Sequence, residues 1–81
     1  MEIMQVVGKR SMKFKGNDGS EVSGTNLYVL CDDYNVEGKK TDKLFVSDAL
    51  RSNLSFFPKV GDEICVDFNR WGKISNITQM P

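Results

Sequence analysis

The chain's only tryptophan, Trp71, lies between two cations, Arg70 and Lys73, near the C-terminus. Apolar and polar residues alternate before it, as they do in a half-buried strand. Gly72 can supply the positive φ that a short hairpin loop requires. We therefore predict that Trp71 lies at a hairpin tip, where folding does not require a large aromatic ring. A flat ring flanked by cations is suited to stacking on a nucleic-acid base while the cations contact phosphates.

Strand alternation adds further cations and aromatic rings to this candidate site. On the first predicted strand, Met4, Val6, Met12 and Phe14 share one side and three lysines share the other, which we assign to the exterior. Tyr28 and Phe45 take the exterior positions of the second and third strands. The residues predicted to bind nucleic acid are Lys9, Arg10, Lys13, Lys15, Tyr28, Lys43, Phe45, Arg70, Trp71 and Lys73.

Each member of this set has a structural alternative. Tyr28 and Phe45 could cover one end of the fold or contact a partner subunit, and Trp71 could fold back over the last strand. A single lysine is most often solvated surface, and lysines on edge strands deter aggregation. Phe56 and Phe57, before a proline, are expected to pack into the core. The set supports binding better than any of its members because all of them map to one face.

The residue types argue against an enzyme. The chain has no histidine, so the commonest general base is absent and neither a Ser–His nor a Cys–His pair can form. The two cysteines lack the spacing of zinc ligands, and no phosphate-binding loop or dinucleotide motif occurs. Residues 33–38 imitate the first half of a calcium loop, but the position that needs a bidentate acid is Leu44. We expect no catalytic residues, no metal and no cofactor.

The charges are balanced overall but unevenly distributed. Eleven cations and eleven anions give a net charge of zero, which counts against a strong nucleic-acid binder. Residues 1–15 carry an excess of positive charge, residues 16–38 contain five acids and no cation, and residues 39–51 are again basic. A basic face could therefore coexist with an acidic one.

The length and composition predict one small globular domain covering residues 1–81. No apolar run approaches a membrane span, and the first residues do not resemble a signal peptide, so we expect a cytoplasmic protein with no membrane contact. Cys31 is assigned to the core side of its strand and Cys65 to the exterior. Thiols on opposite faces are poor disulfide partners, and we expect both to be reduced.

The order of the predicted elements is typical of a small β-barrel. We predict strands at residues 3–15, 21–32 and 41–47, a short helix from Ser47-Asp48 to about residue 54, a fourth strand after residue 62 and a fifth at residues 73–78. Gly8 indicates a bulge or bend in the long first strand. This is the layout of an all-β, five-stranded, OB-fold-like Greek-key barrel with one short helix, with a small SH3-like barrel as the competitor. In OB folds, strands two and three and the loops 1–2 and 4–5 bind oligonucleotides.

With this layout, exterior aromatics and a basic-aromatic hairpin, the chain resembles the compact single-stranded-DNA-binding proteins of phages and mobile elements, of which the filamentous-phage gene V type is one. The resemblance implies an OB-fold homodimer that coats single strands without sequence preference and without a cofactor. It implies a role in phage or plasmid DNA replication in the bacterial host cytoplasm, with a replication protein as a possible partner. RNA remains an alternative ligand. The alternative function is a β-barrel protein-interaction module, an accessory subunit or an inhibitor of a host protein, which the acidic segment favours.

Overall fold

The computed structural model describes residues 2–80 and contains five antiparallel strands and one short helix. The sheet order is β3-β2-β1-β4-β5. The elements are β1 (Glu2–Lys15), β2 (Glu21–Cys31), β3 (Lys40–Ser47), α1 (Asp48–Asn53), β4 (Glu63–Phe68) and β5 (Ile74–Gln79). The predicted element order and the all-β class are confirmed, and the predicted ends differ from these by only a residue or two.

The sheet curves around one core without closing. β3 and β5 are the two outer strands of the sheet, and within residues 2–80 no pairing joins them. The fold is therefore barrel-like, in agreement with the predicted all-β class, but the sheet is not closed. Closure depends on a contact between strands distant in sequence, which local alternation does not encode.

The core consists of the inward residues of all five strands. Val6 and Val29 face each other across β1 and β2, and the fully buried Ile64, Val66 and Ile77 come from β4 and β5. Together with Met4, Leu27, Leu44 and Val46 they form one cluster. This cluster fixes which side of each strand faces inward.

A short helix and the segment after it cover one end of the core. Ser47 caps α1 through its hydroxyl, which accepts a hydrogen bond from Leu50 N at 3.2 Å. Leu50, Phe56 and Phe57 pack against the core cluster. The predicted helix start and the predicted packing of the two phenylalanines are confirmed.

A bulge at Val7 reverses the alternation of β1. Val6 pairs with Val29, but the next pair is Gly8 with Tyr28, so Val7 is an extra residue in β1. Directly paired residues share a face of the sheet, and Lys9 pairs with the buried Leu27. Beyond the bulge, odd-numbered residues therefore lie on the core side and even-numbered residues on the exterior.

This reversal corrects part of the sequence interpretation. Lys9, Lys13 and Lys15 were assigned to the exterior, but they lie on the same side of the sheet as Leu27. Phe14 and its neighbour on that side, Met12, were assigned to the core side and lie on the exterior. Gly8 does mark a bulge, as predicted, but the prediction carried one alternation through it.

The two cysteines lie on opposite faces and are free thiols, as expected. Cys31 pairs with the buried Met4, whereas Cys65 pairs with the exposed Ile3.

Within residues 2–80 the chain has no helix with the length and apolar character needed to cross a membrane.

Candidate nucleic-acid interface

We call the exterior side of β1, β2 and β3 the outer face. Its outward positions are Gly8, Arg10, Met12 and Phe14 on β1, Val22, Gly24, Asn26, Tyr28 and Leu30 on β2, and Thr41, Lys43, Phe45 and Ser47 on β3. Within these described positions there are two cations and no carboxylate. The acids of the same strands, such as Glu21 and Asp42, pair with residues on the core side. The outer face is thus positive although the whole chain is neutral.

Tyr28 lies on the outer face between a glycine and a cation. It pairs with Gly8 on β1 and with Lys43 on β3. The Tyr28 ring leans over Gly8, where an added Cβ would lie 3.4 Å from Tyr28 Cδ2. This is an ordinary van der Waals distance, and Tyr28 remains 37% exposed.

Phe45 and Phe14 form a pair of rings above a second glycine. Phe45 packs so closely over Gly24 that an added Cβ would lie 2.6 Å from Phe45 Cζ. Phe14 reaches the same place from β1, and the two ring centroids are 6.1 Å apart with an interplanar angle of 56°. Phe14 is 46% exposed and Phe45 is 37% exposed. Gly24 therefore provides the space in which two half-exposed rings meet.

Asn26 occupies an outer-face position but is covered by its neighbours. It pairs with Arg10 on one side and Phe45 on the other, yet it is buried, and its Nδ2 donates to Met12 Sδ. A buried side chain that already has a partner is not free to contact a ligand. Arg10 is exposed in the same row and supplies the cation on this side of the rings.

The β4–β5 hairpin is a compact loop closed by Asn69. The Asn69 side-chain oxygen accepts hydrogen bonds from Trp71 N at 2.9 Å and Lys73 N at 3.0 Å. Gly72 has φ 75°, the left-handed conformation predicted for this loop. Trp71 is 73% exposed at the tip, with the Arg70 guanidinium 5.1 Å from its ring. The predicted hairpin and the exposed tryptophan are confirmed.

A cleft connects the hairpin to the outer face. It lies where the sheet is open between β3 and the β4–β5 hairpin, and its volume is about 630 Å³. Lys43 and Phe45 line one side and Lys73 the other, with Phe68 and Ile74 also in the wall. The unclosed part of the sheet thus brings two cations and two phenylalanine rings together next to the Trp71 loop.

The three lysines of β1 lie outside this arrangement. Lys9 donates a hydrogen bond from Nζ to the Pro58 carbonyl at 3.0 Å and lies 4.8 Å from the Phe57 ring centroid. Lys13 forms an ion pair with Glu21 at 2.8 Å, and Lys15 pairs with Glu21 along the strands. Of the ten predicted residues, Arg10, Tyr28, Lys43 and Phe45 lie on the outer face. Lys43, Phe45 and Lys73 line the cleft, and Arg70 and Trp71 belong to the hairpin beside it.

The sequence interpretation missed Phe14 as a surface residue. The signal that could have found it was the Val7-Gly8 pair, where an extra apolar residue stands next to a glycine inside a long strand. Counting alternation separately on each side of Gly8 places Phe14 on the exterior.

The shifted pKa values belong to residues outside the interface. Two hydrogen bonds from Ser20 lower the pKa of Asp18 in the β1–β2 turn. A hydrogen bond to Asp32 raises the pKa of Lys39.

Within residues 2–80 no group of three or more histidine, cysteine or acidic side chains could hold a metal ion. The calcium-like segment forms a turn in which Asp33 Oδ1 accepts from Asn35 N at 2.9 Å.

Comparison of the chain with protein-family models, with curated proteins and with solved structures gives no significant match.

Proposed function

We propose that the protein binds single-stranded nucleic acid, DNA in the first instance, without enzymatic activity and largely without sequence preference. The observation that carries the proposal is the outer face, which has three half-exposed aromatic rings and two cations but no carboxylate among its described positions. An aromatic platform next to positive charge is the combination that single strands require.

In this mechanism the rings carry the bases and the cations carry the phosphates. Tyr28, Phe45 and Phe14 offer stacking surfaces, each worth about 1–3 kcal/mol per base. Because every base has a flat face, stacking on these rings does not distinguish sequences. Arg10 and Lys43 flank the rings and contact the backbone. The strand would continue through the cleft past Lys73 to Trp71, which adds a further stacking surface.

The charge distribution sets the limits of this binding. If Arg10, Lys43, Arg70 and Lys73 each neutralise one phosphate, the logarithm of the binding constant should fall with the logarithm of salt with a slope of about −3. The acidic β2–β3 loop repels phosphate, so the strand should leave the outer face before reaching it. Zero net charge predicts modest affinity at physiological salt.

A fluorescence titration tests the proposal directly, because Trp71 is the only tryptophan. Adding a short thymidine oligonucleotide at low salt should quench Trp71 emission, and added salt should reverse the effect. Duplex DNA of the same sequence serves as the control and should quench less. Unchanged emission together with an unchanged oligonucleotide mobility would refute the proposal.

Coating of single strands during phage or plasmid replication is the process that such an activity would serve, in the cytoplasm and alongside a replication protein.

A protein-interaction module is the second candidate, and a specific surface favours it. The β2–β3 loop carries Asp32, Asp33 and Glu37 next to an almost fully exposed Tyr34. An acidic surface with an exposed ring fits a basic protein partner better than a phosphate backbone. A partner that stays bound after nuclease treatment, in a protein that does not bind oligonucleotides, would favour this function over the first.

A further inference from the structure

Tyr34 is exposed in a way that folding does not explain. It is 96% exposed, in a turn closed by a hydrogen bond from Val36 N to the Asp33 carbonyl at 2.9 Å. Val36 in the same turn is also exposed. The loop therefore presents an aromatic ring and a second apolar side chain, with Asp33 and Glu37 beside them, on a defined turn.

A groove of complementary chemistry lies on the β1–β2 hairpin. It is lined by Lys13, Phe14, Lys15 and Glu21 and has a volume of about 300 Å³. In residues 2–80, the pairing of β1 with β4 ends at Gln5, so the later part of β1 has a free edge at this place. At this edge the groove thus offers the Phe14 ring from one face of β1 and the two lysines from the other, with Glu21 beside them.

The two surfaces lie at opposite ends of β2. This strand has 11 residues, and at about 3.3 Å per residue it separates them by roughly 35 Å. The Tyr34 loop follows the last residue of β2, and the groove adjoins its first residue, Glu21. One copy therefore cannot bring its own loop into its own groove, and the complementary surfaces can meet only between copies.

We propose that the Tyr34 loop of one copy docks into the Lys13–Phe14–Lys15 groove of the next. The Tyr34 ring packs against Phe14, and Glu37 and Asp33 face the lysines, Lys15 in particular because Lys13 already pairs with Glu21. Tyrosine is a frequent anchor residue in interfaces. Two different surfaces meet in this contact, so it is heterologous and builds a row of copies unless the rotation between them closes a ring. The contact requires no nucleic acid, although it uses the Phe14 ring that the function proposed above assigns to base stacking.

The test measures self-association of the full chain without nucleic acid, by sedimentation velocity over a range of concentrations at low salt. The mass should rise with concentration beyond that of a dimer, and salt should reduce the association because the contact is partly ionic. Tyr34→Ser should weaken association about tenfold. Val60→Ser is the matched control, since Val60 is an exposed apolar residue outside both surfaces, and it should leave association unchanged.

A charge exchange tests the pairing itself. Lys15→Glu and Glu37→Lys should each weaken association, and the double variant should restore it because the two charges are swapped. Thermal unfolding and binding of a short oligonucleotide show whether each variant is folded and whether its outer face is intact. A wild-type chain that stays monomeric, a Tyr34→Ser chain that associates like wild type, or a double variant no better than the single ones would each overturn the proposal. None of these results would affect the nucleic-acid proposal, which the oligonucleotide titration tests.

Discussion

Substitution of Gly24 should weaken binding through the Phe45 ring. A Cβ at this position would lie 2.6 Å from Phe45 Cζ, 2.9 Å from Phe45 Cε1 and 2.6 Å from the Val46 carbonyl oxygen. Ordinary carbon–carbon contacts begin near 3.5 Å, so in Gly24→Ala the ring must move by almost 1 Å or more. The backbone contact with Val46 also predicts some loss of stability. We expect the ring to tilt away from the sheet and to lose its position beside Phe14.

The size of the effect follows from the value of one stacking surface. Loss of a base–aromatic stack costs about 1–3 kcal/mol, which corresponds to a decrease in affinity of about 5- to 150-fold. Trp71 fluorescence can report binding because Trp71 is unchanged in these variants. Gly8→Ala is the matched control, because a Cβ there would meet Tyr28 at 3.4 Å, an ordinary contact. Gly8→Ala should therefore have the smaller effect.

A double-mutant cycle shows whether Gly24 acts through Phe45. Gly24→Ala should weaken binding in the wild-type background and have little effect in a Phe45→Ala background, because the displaced ring is already absent. Thermal unfolding of all four proteins separates lost affinity from lost folding. A folded Gly24→Ala protein with wild-type affinity, or equal losses in both backgrounds, would refute the reasoning.

Further substitutions test other parts of the interface. Trp71→Ala should lower affinity for a labelled oligonucleotide about 5- to 150-fold at every salt concentration, as measured by fluorescence anisotropy; equal affinity would exclude Trp71 from the interface. Lys43→Ala should reduce the slope of the logarithm of the binding constant against the logarithm of salt by about 0.7, whereas Lys13→Ala, on the other side of the sheet, should leave this slope unchanged. The reverse result would mean that the nucleic acid binds to the opposite face of the sheet. Asn69→Ala removes the acceptor of two backbone hydrogen bonds in the hairpin and should lower thermal stability by about 1–2 kcal/mol, with Asn69→Asp as the control that keeps an acceptor. The lowered pKa of Asp18 means that its hydrogen bonds stabilise the turn above its ordinary pKa and that this stabilisation is lost as pH falls through the lowered value. Acid unfolding of Asp18→Asn should accordingly show less pH dependence than that of wild type, and an identical acid limb would contradict this.

The features that could be predicted from sequence are those set by local chemistry. Gly72 and the alternation before it predicted the hairpin, and Ser47-Asp48 predicted the helix start. Residue order also predicted five strands with the helix after the third. Each of these features depends on residues that are close together in the chain, so the local residue pattern is enough to predict it.

The features that could not be predicted depend on one extra residue and on distant contacts. Val7 is apolar and could continue the pattern of a buried strand, so nothing in its type reports that it lacks a partner on β2. Met12 and Phe14 are apolar too, and one uninterrupted alternation therefore assigned them to the core together with Val6. The unclosed part of the sheet has the same origin, because it depends on β3 and β5 not meeting.

The bulge decides which chemistry faces outward. If Val7 paired as an ordinary strand residue, uninterrupted alternation of β1 would place Lys9, Lys13 and Lys15 on the same face as Tyr28 and turn Phe14 towards the core side, giving a face richer in charge and poorer in rings. With the bulge at Val7, Lys9 contacts Pro58 and Phe57, and Lys13 forms an ion pair with Glu21. The outer face then combines three rings with few cations, a composition in which stacking outweighs phosphate contacts. The bulge therefore predicts a binder whose affinity persists more at high salt than that of a lysine-lined face would.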